Sequence, residues 1–124
     1  MRITADCPLI DPALVDYAIC QFRNSELDYL SNTIPPTFPD GLDVEVFSFN
    51  ALKRAYNEAT ESYDLEHVTP YLKNPEKFKI DVFSNGEDLS SLRWTVDEVD
   101  DLEVVRKVVQ KFSPDISFSW NKVH

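Results

Sequence analysis

The segment from Arg2 to Pro12 constrains the fold of this chain most strongly, because it joins the end of a strand to the start of a helix within eleven residues. Ile3 ends a short apolar strand, and Asp6 follows just beyond its carboxyl end. Asp11 before Pro12 is typical of a helix N-cap and the first helical residue. Open α/β sheets bind ligands beyond the carboxyl ends of their strands. The segment therefore predicts an α/β fold with Asp6 at a binding edge.

Asp6 has two interpretations at this position. A carboxylate at the end of a strand can hold a hard cation and, through it, phosphate oxygens. An aspartate next to a turn also commonly accepts hydrogen bonds from the nearby backbone, which is a purely structural role. The residues alone leave both interpretations open. The adjacent Cys7 has no basic neighbour except Arg2, so we expect a small buried or half-buried thiol rather than a nucleophile.

Hydrophobic periodicity predicts alternating helices and strands along the rest of the chain. Because 124 residues suffice for a single core, we predict one domain over residues 1–124, with a mixed sheet flanked by helices. Helices are predicted from Pro12 to Phe22, Phe49 to Thr60, Pro70 to Asn74 and Glu98 to Phe112. Strands are predicted over residues 28–32, 42–48, 79–83 and 92–96, with a hairpin turn at Asn85-Gly86 between the last two.

Two of the helices have a predicted packing face. In the second helix this face consists of Phe49, Leu52, Tyr56 and Ala59, and in the last helix of Leu102, Val105, Val109 and Phe112. The chain ends in an irregular aromatic tail over residues 113–124. We predict that this tail covers an open part of the core or docks on a neighbouring chain.

The charge balance limits the classes of partner. Twenty-two acidic residues against twelve basic ones give a net charge of −10, which repels polyphosphates and argues against nucleic acid binding. No apolar run approaches the roughly 18 residues that span a bilayer, and the N-terminus lacks a signal-peptide pattern. The two cysteines lack CxxC spacing and give no sign of a disulfide framework. We therefore predict a cytoplasmic protein that binds neither nucleic acid nor membrane.

Asp43 and Glu45 form the second candidate site. They lie two residues apart on a predicted strand, so their side chains should point the same way, about 7 Å apart. Together they could bind a cation or the hydroxyls of a sugar. They could equally form the solvated face of an antiparallel strand.

Glu66 and His67 are a further pair of candidates. A lone histidine beside a glutamate is often a structural hydrogen-bond pair, and one internal histidine is too few for a zinc site. No serine or cysteine stands in a motif that would make His67 the base of a catalytic triad. We assign neither residue the role of general base.

Four segments of the chain resemble the sugar cytidylyltransferases. Asp6-Cys-Pro-Leu-Ile-Asp-Pro12 is similar to the D-x-P-L-x-x-P segment of that family, which contains the CMP-KDO and CMP-acylneuraminate synthetases. The similarity continues through residues 38–47, 66–71 and 88–97, and it is greatest to the family's homologue in spore-coat polysaccharide biosynthesis. The resemblance implies a Rossmann-like nucleotide-diphospho-sugar transferase fold.

The resemblance also implies a magnesium site and a reaction. Residues 96–102 are similar to the V-D-x-x-x-D-L element, so Asp97 would join Asp6 as a Mg²⁺ ligand, although Asp97 could equally serve only as the N-cap of the last helix. The implied reaction is attack by a hydroxyl of a sugar or sugar acid on the α-phosphorus of CTP, with loss of pyrophosphate and no catalytic residue beyond the metal ligands. The implied substrate contacts are Pro8, Gly41, Asp43, Glu45, Glu66, His67 and Arg93.

The resemblance further implies a missing nucleotide-binding segment. Family members begin with a strand and a basic, glycine-containing loop that grips the triphosphate. The two glycines here, Gly41 and Gly86, are too far apart to build such a loop. We therefore expect a truncated fold that is weakly active or inactive on its own. The alternative is a non-catalytic module that self-associates, most simply as a homodimer, to cover an exposed sheet edge.

Overall fold

The computed structural model of the chain describes residues 1–123 and has a small mixed sheet flanked by helices. The strands are β1 (Tyr29–Ser31), β2 (Glu45–Phe47) and β3 (Ile80–Val82). The central strand β1 pairs antiparallel with β2 and parallel with β3. The α-helices are α1 (Pro12–Arg23), α2 (Phe49–Glu58), α3 (Ser62–His67) and α4 (Val99–Phe112). Two 3₁₀ helices span Pro70–Lys73 and Trp120–Lys122.

Asp11 starts α1 and also anchors the tail. One carboxylate oxygen accepts a hydrogen bond from the Ala13 backbone N–H at 2.7 Å, which confirms the predicted N-cap. The other oxygen accepts hydrogen bonds from the Ser119 hydroxyl at 3.0 Å and from the Trp120 backbone N–H at 2.9 Å. Asp11 is only 4% exposed, and its three hydrogen bonds connect the beginning of α1 to the tail.

The apolar residues form two clusters. The larger contains Leu9, Leu14, Ala18, Phe38, Leu42, Val44, Val46, Trp94 and Val105. The smaller contains Tyr29, Ala51, Ala55, Leu72 and Phe78. The tail packs against the larger cluster, with the rings of Trp120 and Phe38 5.6 Å apart and those of Phe118 and Phe112 4.4 Å apart. The first alternative for the tail, that it covers the core, is therefore confirmed up to Val123, and His124 lies outside the described residues.

The predicted hairpin at Asn85-Gly86 is wrong. In the described chain, residues 92–96 form no strand beside β3 and run instead along the loop before β2. Asp40 N–H donates to the Leu92 carbonyl at 2.8 Å, and Trp94 N–H donates to the Asp40 carbonyl at 2.7 Å. This path carries the Trp94 side chain into the larger cluster, and that burial outweighs the local turn preference of the Asn-Gly pair.

The predicted packing face of α2 is also wrong. The helix meets the smaller cluster through Ala51 and Ala55, which are 2% and 3% exposed. Phe49 and Tyr56 are instead 77% and 82% exposed. Because Tyr29 already fills the centre of this cluster, only small side chains of α2 fit against it.

Helix α4 is less buried than its sequence pattern predicts. Only Val105 is fully buried among its residues, while Leu102 and Val109 are 36% and 40% exposed. Helix α3 was not predicted, and its six residues contain no buried side chain. None of the helices within residues 1–123 combines the length and the apolar character needed to cross a lipid bilayer.

Candidate functional site

Glu45 lies at the centre of a buried polar network. Its side chain accepts hydrogen bonds from Arg2 at 2.6 Å, from the Tyr29 hydroxyl at 2.5 Å and from the Thr69 hydroxyl at 3.2 Å, and the ammonium group of Lys73 lies 3.5 Å away. Burial by itself would raise the pKa of Glu45, but the bonds from Tyr29 and Arg2 outweigh it and lower the pKa. The carboxylate is therefore charged at neutral pH although the residue is only 4% exposed.

The sheet register explains how Arg2 and Glu45 meet. Arg2 forms an antiparallel bridge with Glu45, in which their backbone N–H and carbonyl groups exchange hydrogen bonds of 2.7 and 3.3 Å. Residues directly opposite each other in such a pair have their side chains on the same face. On its other side Glu45 pairs with Ser31 of β1. The N-terminal segment thus extends the sheet beyond β2 and brings a guanidinium group to the buried carboxylate.

A polar cavity of about 110 Å³ opens beside this network. Its lining includes Arg2, Thr4, Thr33, Asp43, Glu45 and Lys73. Asp43 and Glu45 both line it, which confirms that their side chains share one side of the chain. The alternative of a solvated acidic face is wrong for Glu45, which is buried because its paired cations allow it to leave water.

Asp43 differs from Glu45 in having no protein partner. Among residues 1–123, no side chain or backbone group donates a hydrogen bond to its half-buried carboxylate. Burial, followed by the charges of Asp40 and Glu45, raises the pKa of Asp43. Asp43 also lines a second cavity of about 240 Å³, together with Thr33 and Asp40. It is therefore an acceptor shared by two adjoining polar cavities.

The two predicted metal ligands lie on neighbouring segments. The Val96 backbone N–H donates to the Asp6 carbonyl at 2.8 Å, so the residues before Asp97 run beside Asp6. The Thr4 hydroxyl is the main cause of a lowered pKa of Asp6, which keeps that carboxylate ionised. Cys7 is buried, and burial raises the pKa of its thiol to about 11, which agrees with an unreactive thiol.

Arg93 links the second of these carboxylates to helix α4. Its guanidinium donates to Asp97 at 2.9 Å and to both oxygens of Asp101 at 2.9 and 2.8 Å. Asp101 also accepts the backbone N–H groups of Asp97 and Glu98, and Glu98 is the N-cap of α4 in a capping box with Asp101. The N-cap role that the sequence allowed for Asp97 therefore belongs to Glu98.

Two further predicted contacts lie elsewhere. Gly41 has a φ of +108°, and a Cβ atom there would lie 2.8 Å from the carbonyl carbon of Trp94. The close approach of residues 92–96 therefore explains why position 41 is a glycine. Pro8 lines a separate cavity of about 180 Å³ next to Val109 and Phe118.

Glu66 and His67 do not line the cavity beside Glu45. Both are exposed on α3, where the His67 ring packs 4.5 Å from the ring of Tyr63. The chain then turns sharply at Val68, whose φ and ψ are 67° and −50°, and Thr69 N–H donates to the His67 carbonyl at 2.7 Å. It is Thr69, after this turn, that reaches Glu45.

Sequence reasoning missed four partners of Glu45. These are Arg2, Tyr29, Thr69 and Lys73. The sequence did contain a signal for Arg2, which lies next to Ile3 at the end of a predicted strand. A basic side chain that is buried there needs an acidic partner. The other three come from distant segments, so their meeting depends on the tertiary fold.

The chemistry of Asp6 and Asp97 fits magnesium. No cluster of three or more histidine, cysteine, aspartate or glutamate side chains suited to a metal is found in the described range 1–123. Magnesium, however, commonly uses only one or two carboxylates and completes its shell with water and phosphate oxygens. The Thr95 hydroxyl, next to these residues in the chain, is buried and has no hydrogen-bond partner within the described range. Asp6 and Asp97 thus supply carboxylate oxygens of the kind that magnesium binds, on two segments that run side by side.

Comparison with known proteins shows the family of this chain. The family model described as cytidylyltransferase matches residues 1–116. The chain is 35% identical over 115 residues to the uncharacterized protein MJ1063 of Methanocaldococcus jannaschii, covering 90% of this chain and 46% of that protein. It is 32% identical over 127 residues to the spore coat polysaccharide biosynthesis protein SpsF of Bacillus subtilis, covering 96% of this chain and 51% of SpsF.

A solved structure shows the same fold. The cytidylyltransferase from Leptospira borgpetersenii superposes with a TM-score of 0.89 and 31% identity, covering 95% of this chain and 50% of that one. The chain thus spans about half the length of the relatives that it matches. The match to the family model extends over most of the sequence and includes Asp6, Asp43, Glu45 and Asp97. This chain belongs to the cytidylyltransferase family.

Proposed function

We propose that this chain supplies the acceptor side and the two carboxylates of a centre that transfers CMP from CTP to a sugar or sugar acid. The acceptor hydroxyl oxygen attacks the α-phosphorus and gives up its proton to solvent, the bond from that phosphorus to the bridging oxygen breaks, and pyrophosphate leaves. Membership of the family supports the class of reaction. The name of SpsF, a spore coat polysaccharide biosynthesis protein, supports the choice of a sugar acceptor.

The cavity beside Glu45 is the proposed acceptor site. The unpartnered carboxylate of Asp43 can accept hydrogen bonds from sugar hydroxyls. The charge of Glu45 holds Arg2 and Lys73 in place. Arg2 donates only one of its five N–H groups to Glu45. The remaining donors are available to acceptor oxygens of a sugar or to its carboxylate.

Asp6 and Asp97 are the proposed magnesium ligands. When bound, the metal would neutralise charge on the phosphate oxygens. Asp6 is ionised and ready to bind a cation, whereas Asp97 would have to share its carboxylate with Arg93 or release it. Arg93 stays anchored to Asp101 in either case.

One observation carries the proposal: residues 2–6 connect both halves of the site. Arg2 and Thr4 line the cavity, while the Asp6 carbonyl bonds to Val96, the residue before Asp97. A segment of five residues thus lies between the proposed sugar and the proposed metal. This arrangement suits a reaction in which a sugar hydroxyl must approach a metal-bound phosphate.

Manganese binding tests the proposed metal ligands. Mn²⁺ replaces Mg²⁺ in many oxygen sites and is detected by its electron paramagnetic resonance, so we would titrate the chain with Mn²⁺ in the presence of CTP. Weak binding is expected for the wild type, and Asp6→Asn and Asp97→Asn should each reduce it about tenfold or more. Asp100→Asn, an exposed neighbour, is the matched control. Equal binding by all four proteins would contradict the proposal.

Pyrophosphate release tests the reaction itself. We propose that the chain alone is weakly active or inactive, because its two glycines cannot form a phosphate loop. Release from CTP and a sugar should rise when the chain is joined in frame to the half of SpsF that the match does not cover. No gain in the joined protein would favour the second candidate function, a non-catalytic module that self-associates.

The assembly and the compartment are also proposals. The exposed apolar side chains of α2 and α3 favour an assembly of more than one chain, and the homodimer is the simplest. We propose a cytoplasmic location, supported by the two free cysteines, and no nucleic acid partner, supported by the charge of −10.

A further inference from the structure

One guanidinium nitrogen of this chain lies between two carboxylates, in the place that a bound cation would take. Nη2 of Arg93 donates to Oδ2 of Asp97 at 2.9 Å and to Oδ2 of Asp101 at 2.8 Å. A charged donor at such distances from both carboxylates compensates the charge of each. Asp97 and Asp101 are therefore bridged by a positive charge that belongs to the chain itself.

Asp101 fixes the position of this guanidinium group. Its other oxygen, Oδ1, accepts a hydrogen bond from Nε of Arg93 at 2.9 Å, so two parallel hydrogen bonds join the two side chains. Oδ2 also accepts the backbone N–H groups of Asp97 and Glu98, both at 3.0 Å. The Asp101 side chain is largely buried, whereas the Asp97 side chain is exposed. Arg93 is thus anchored on Asp101 and reaches Asp97 with the second hydrogen of Nη2.

Asp97 keeps one carboxylate oxygen open. Its Oδ2 accepts the hydrogen bond from Arg93, while its Oδ1 accepts none from any residue in the range 1–123. An exposed carboxylate oxygen of this kind can bind a divalent cation. The ion would then share the carboxylate with the guanidinium group, and two positive charges on one carboxylate repel each other. Arg93 therefore opposes the binding of a metal to Asp97.

Without Arg93 this part of the surface would attract cations. Four of the five residues from Asp97 to Asp101 are acidic. Arg93 provides both of the ion pairs that these acids form within the part of the chain that the structure describes. Loss of its charge would leave the neighbouring carboxylates of Asp97 and Asp101 without a counter-ion. Two carboxylates are enough to hold a divalent ion whose other ligands are water.

A bound nucleotide would change this balance. The triphosphate of CTP carries several negative charges and supplies oxygen ligands, so it offsets the repulsion between the guanidinium group and the ion. The guanidinium group would then oppose the ion much less than it does in the free chain. Under the linkage of two binding events, a charge that opposes the ion alone makes each ligand favour the binding of the other.

We infer that Arg93 is a positioning residue that disfavours a divalent ion on Asp97 until a nucleotide is present. The inference rests on the proposed function, because it takes Asp97 as a ligand of the metal that accompanies CTP. It goes beyond that function by stating that the ion binds together with the nucleotide and not before it. Arg93 acts through Asp97, and Asp101 holds it in the position to do so.

Titration with Mn²⁺ alone, in the absence of nucleotide, tests the inference, with free Mn²⁺ measured by electron paramagnetic resonance. The wild-type chain is expected to bind weakly, and Arg93→Gln should bind about tenfold more tightly, because the competing charge is gone. Arg93→Lys retains the charge and should stay close to the wild type. Arg106→Gln changes the net charge by the same amount at an exposed position of α4, and it is the matched control.

Two further variants separate the charge of Arg93 from its structural role. Asp101→Asn weakens the same pair of hydrogen bonds but leaves the guanidinium charge in place, so binding of Mn²⁺ alone should not rise. Asp97→Asn added to Arg93→Gln should abolish the tighter binding, because the ion is then without its ligand. Far-ultraviolet circular dichroism would confirm that each variant folds.

The inference would be overturned if Arg93→Gln bound Mn²⁺ no more tightly than the wild type does. Tighter binding that also occurs in Arg93→Lys, Asp101→Asn or Arg106→Gln would contradict it too, since none of these variants removes the charge beside Asp97. So would tighter binding that survives Asp97→Asn. Failure of the proposed function is seen separately, in the titration with CTP, as binding that Asp6→Asn and Asp97→Asn leave unchanged.

Discussion

Glu45 shows how one buried charge can organise a site. Its carboxylate accepts hydrogen bonds from Arg2, Tyr29 and Thr69, which lie in three different segments, and the ammonium group of Lys73 is a fourth partner. Burying an ionised carboxylate is unfavourable unless such partners are present. The network therefore couples the proposed acceptor cavity to the stability of the sheet around it.

Replacing Glu45 should be costly in stability. Glu45→Gln leaves Arg2 and Lys73 without their counter-charge, and we expect the free energy of unfolding to fall by about 2 kcal/mol at pH 7, less than for a fully buried pair because both cations are partly exposed. Since the folded pKa of Glu45 is below its ordinary value of 4.5, the difference should shrink as the pH falls below about 4.5. Urea unfolding at several pH values measures both effects. Glu87→Gln, on an exposed loop, is the control.

Asp43 should behave in the opposite way. Its folded pKa is above the ordinary value of 3.8, so at neutral pH the charged carboxylate is less favourable in the folded chain than in the unfolded one. Asp43→Asn is expected to stabilise the protein at pH 7. The gain should decline as the pH falls through the raised pKa and vanish below 3.8, because both states then bind the proton. A loss of stability at pH 7 in urea unfolding would contradict this reading of Asp43.

Among the elements, the turn between α3 and the following 3₁₀ helix carries local strain. Val68 is a β-branched residue with a φ of 67°, and among the non-glycine residues of the described chain it alone has a positive φ. Such a conformation is unfavourable by about 1 kcal/mol or more for a side chain of this type. The turn at Val68 brings the Thr69 hydroxyl to Glu45. The hydrogen bond between these two residues therefore accounts for a backbone conformation that valine does not favour.

Glycine at this turn should stabilise the chain. Val68→Gly removes the clash of the Cβ atom at positive φ, and we expect the free energy of unfolding to rise by about 1 kcal/mol. The matched control is Val104→Gly, because Val104 is similarly exposed at 44% but lies inside α4. There glycine should lower the stability by about 0.5 kcal/mol. Thermal and urea unfolding of both variants measures the contrast, and a loss in both would disprove the strain.

For the whole molecule, the tail is the contact that joins the end of the chain to its beginning. Trp120 packs on Phe38, and its backbone N–H bonds to the Asp11 carboxylate that starts α1. The last described residues therefore cover one side of the larger cluster. Without the tail, the Phe38 ring would be exposed to water on that side.

Removing the tryptophan ring should weaken the entire fold. Trp120→Ala is expected to lower the free energy of unfolding by about 2 kcal/mol, less than for a fully buried ring because Trp120 is only partly buried. Ile116→Ala changes a residue of the same tail that is 84% exposed and should have no measurable effect. Urea unfolding followed by circular dichroism compares the two, and equal stability of both variants would show that the tail does not support the core.

Several features follow from local sequence. The start of α1 at Pro12, the N-cap at Asp11 and the position of α2 agree with prediction to within two residues. The common side of Asp43 and Glu45 also agrees, although Asp43 lies two residues before the first residue of β2. These properties depend on a few neighbouring residues, and so a single sequence determines them.

Other features were decided only by the tertiary structure. Nothing near Glu45 in the sequence says that Thr69 and Lys73 approach it, or that the residues after Asn85-Gly86 leave the sheet to bury Trp94. The helix period predicts that α2 packs through Phe49 and Tyr56, but in the structure it packs around Tyr29 through Ala51 and Ala55. Local patterns determine which conformations a segment prefers. Burial of side chains from distant parts of the sequence contributes more free energy than these local preferences, and it therefore selects among the conformations.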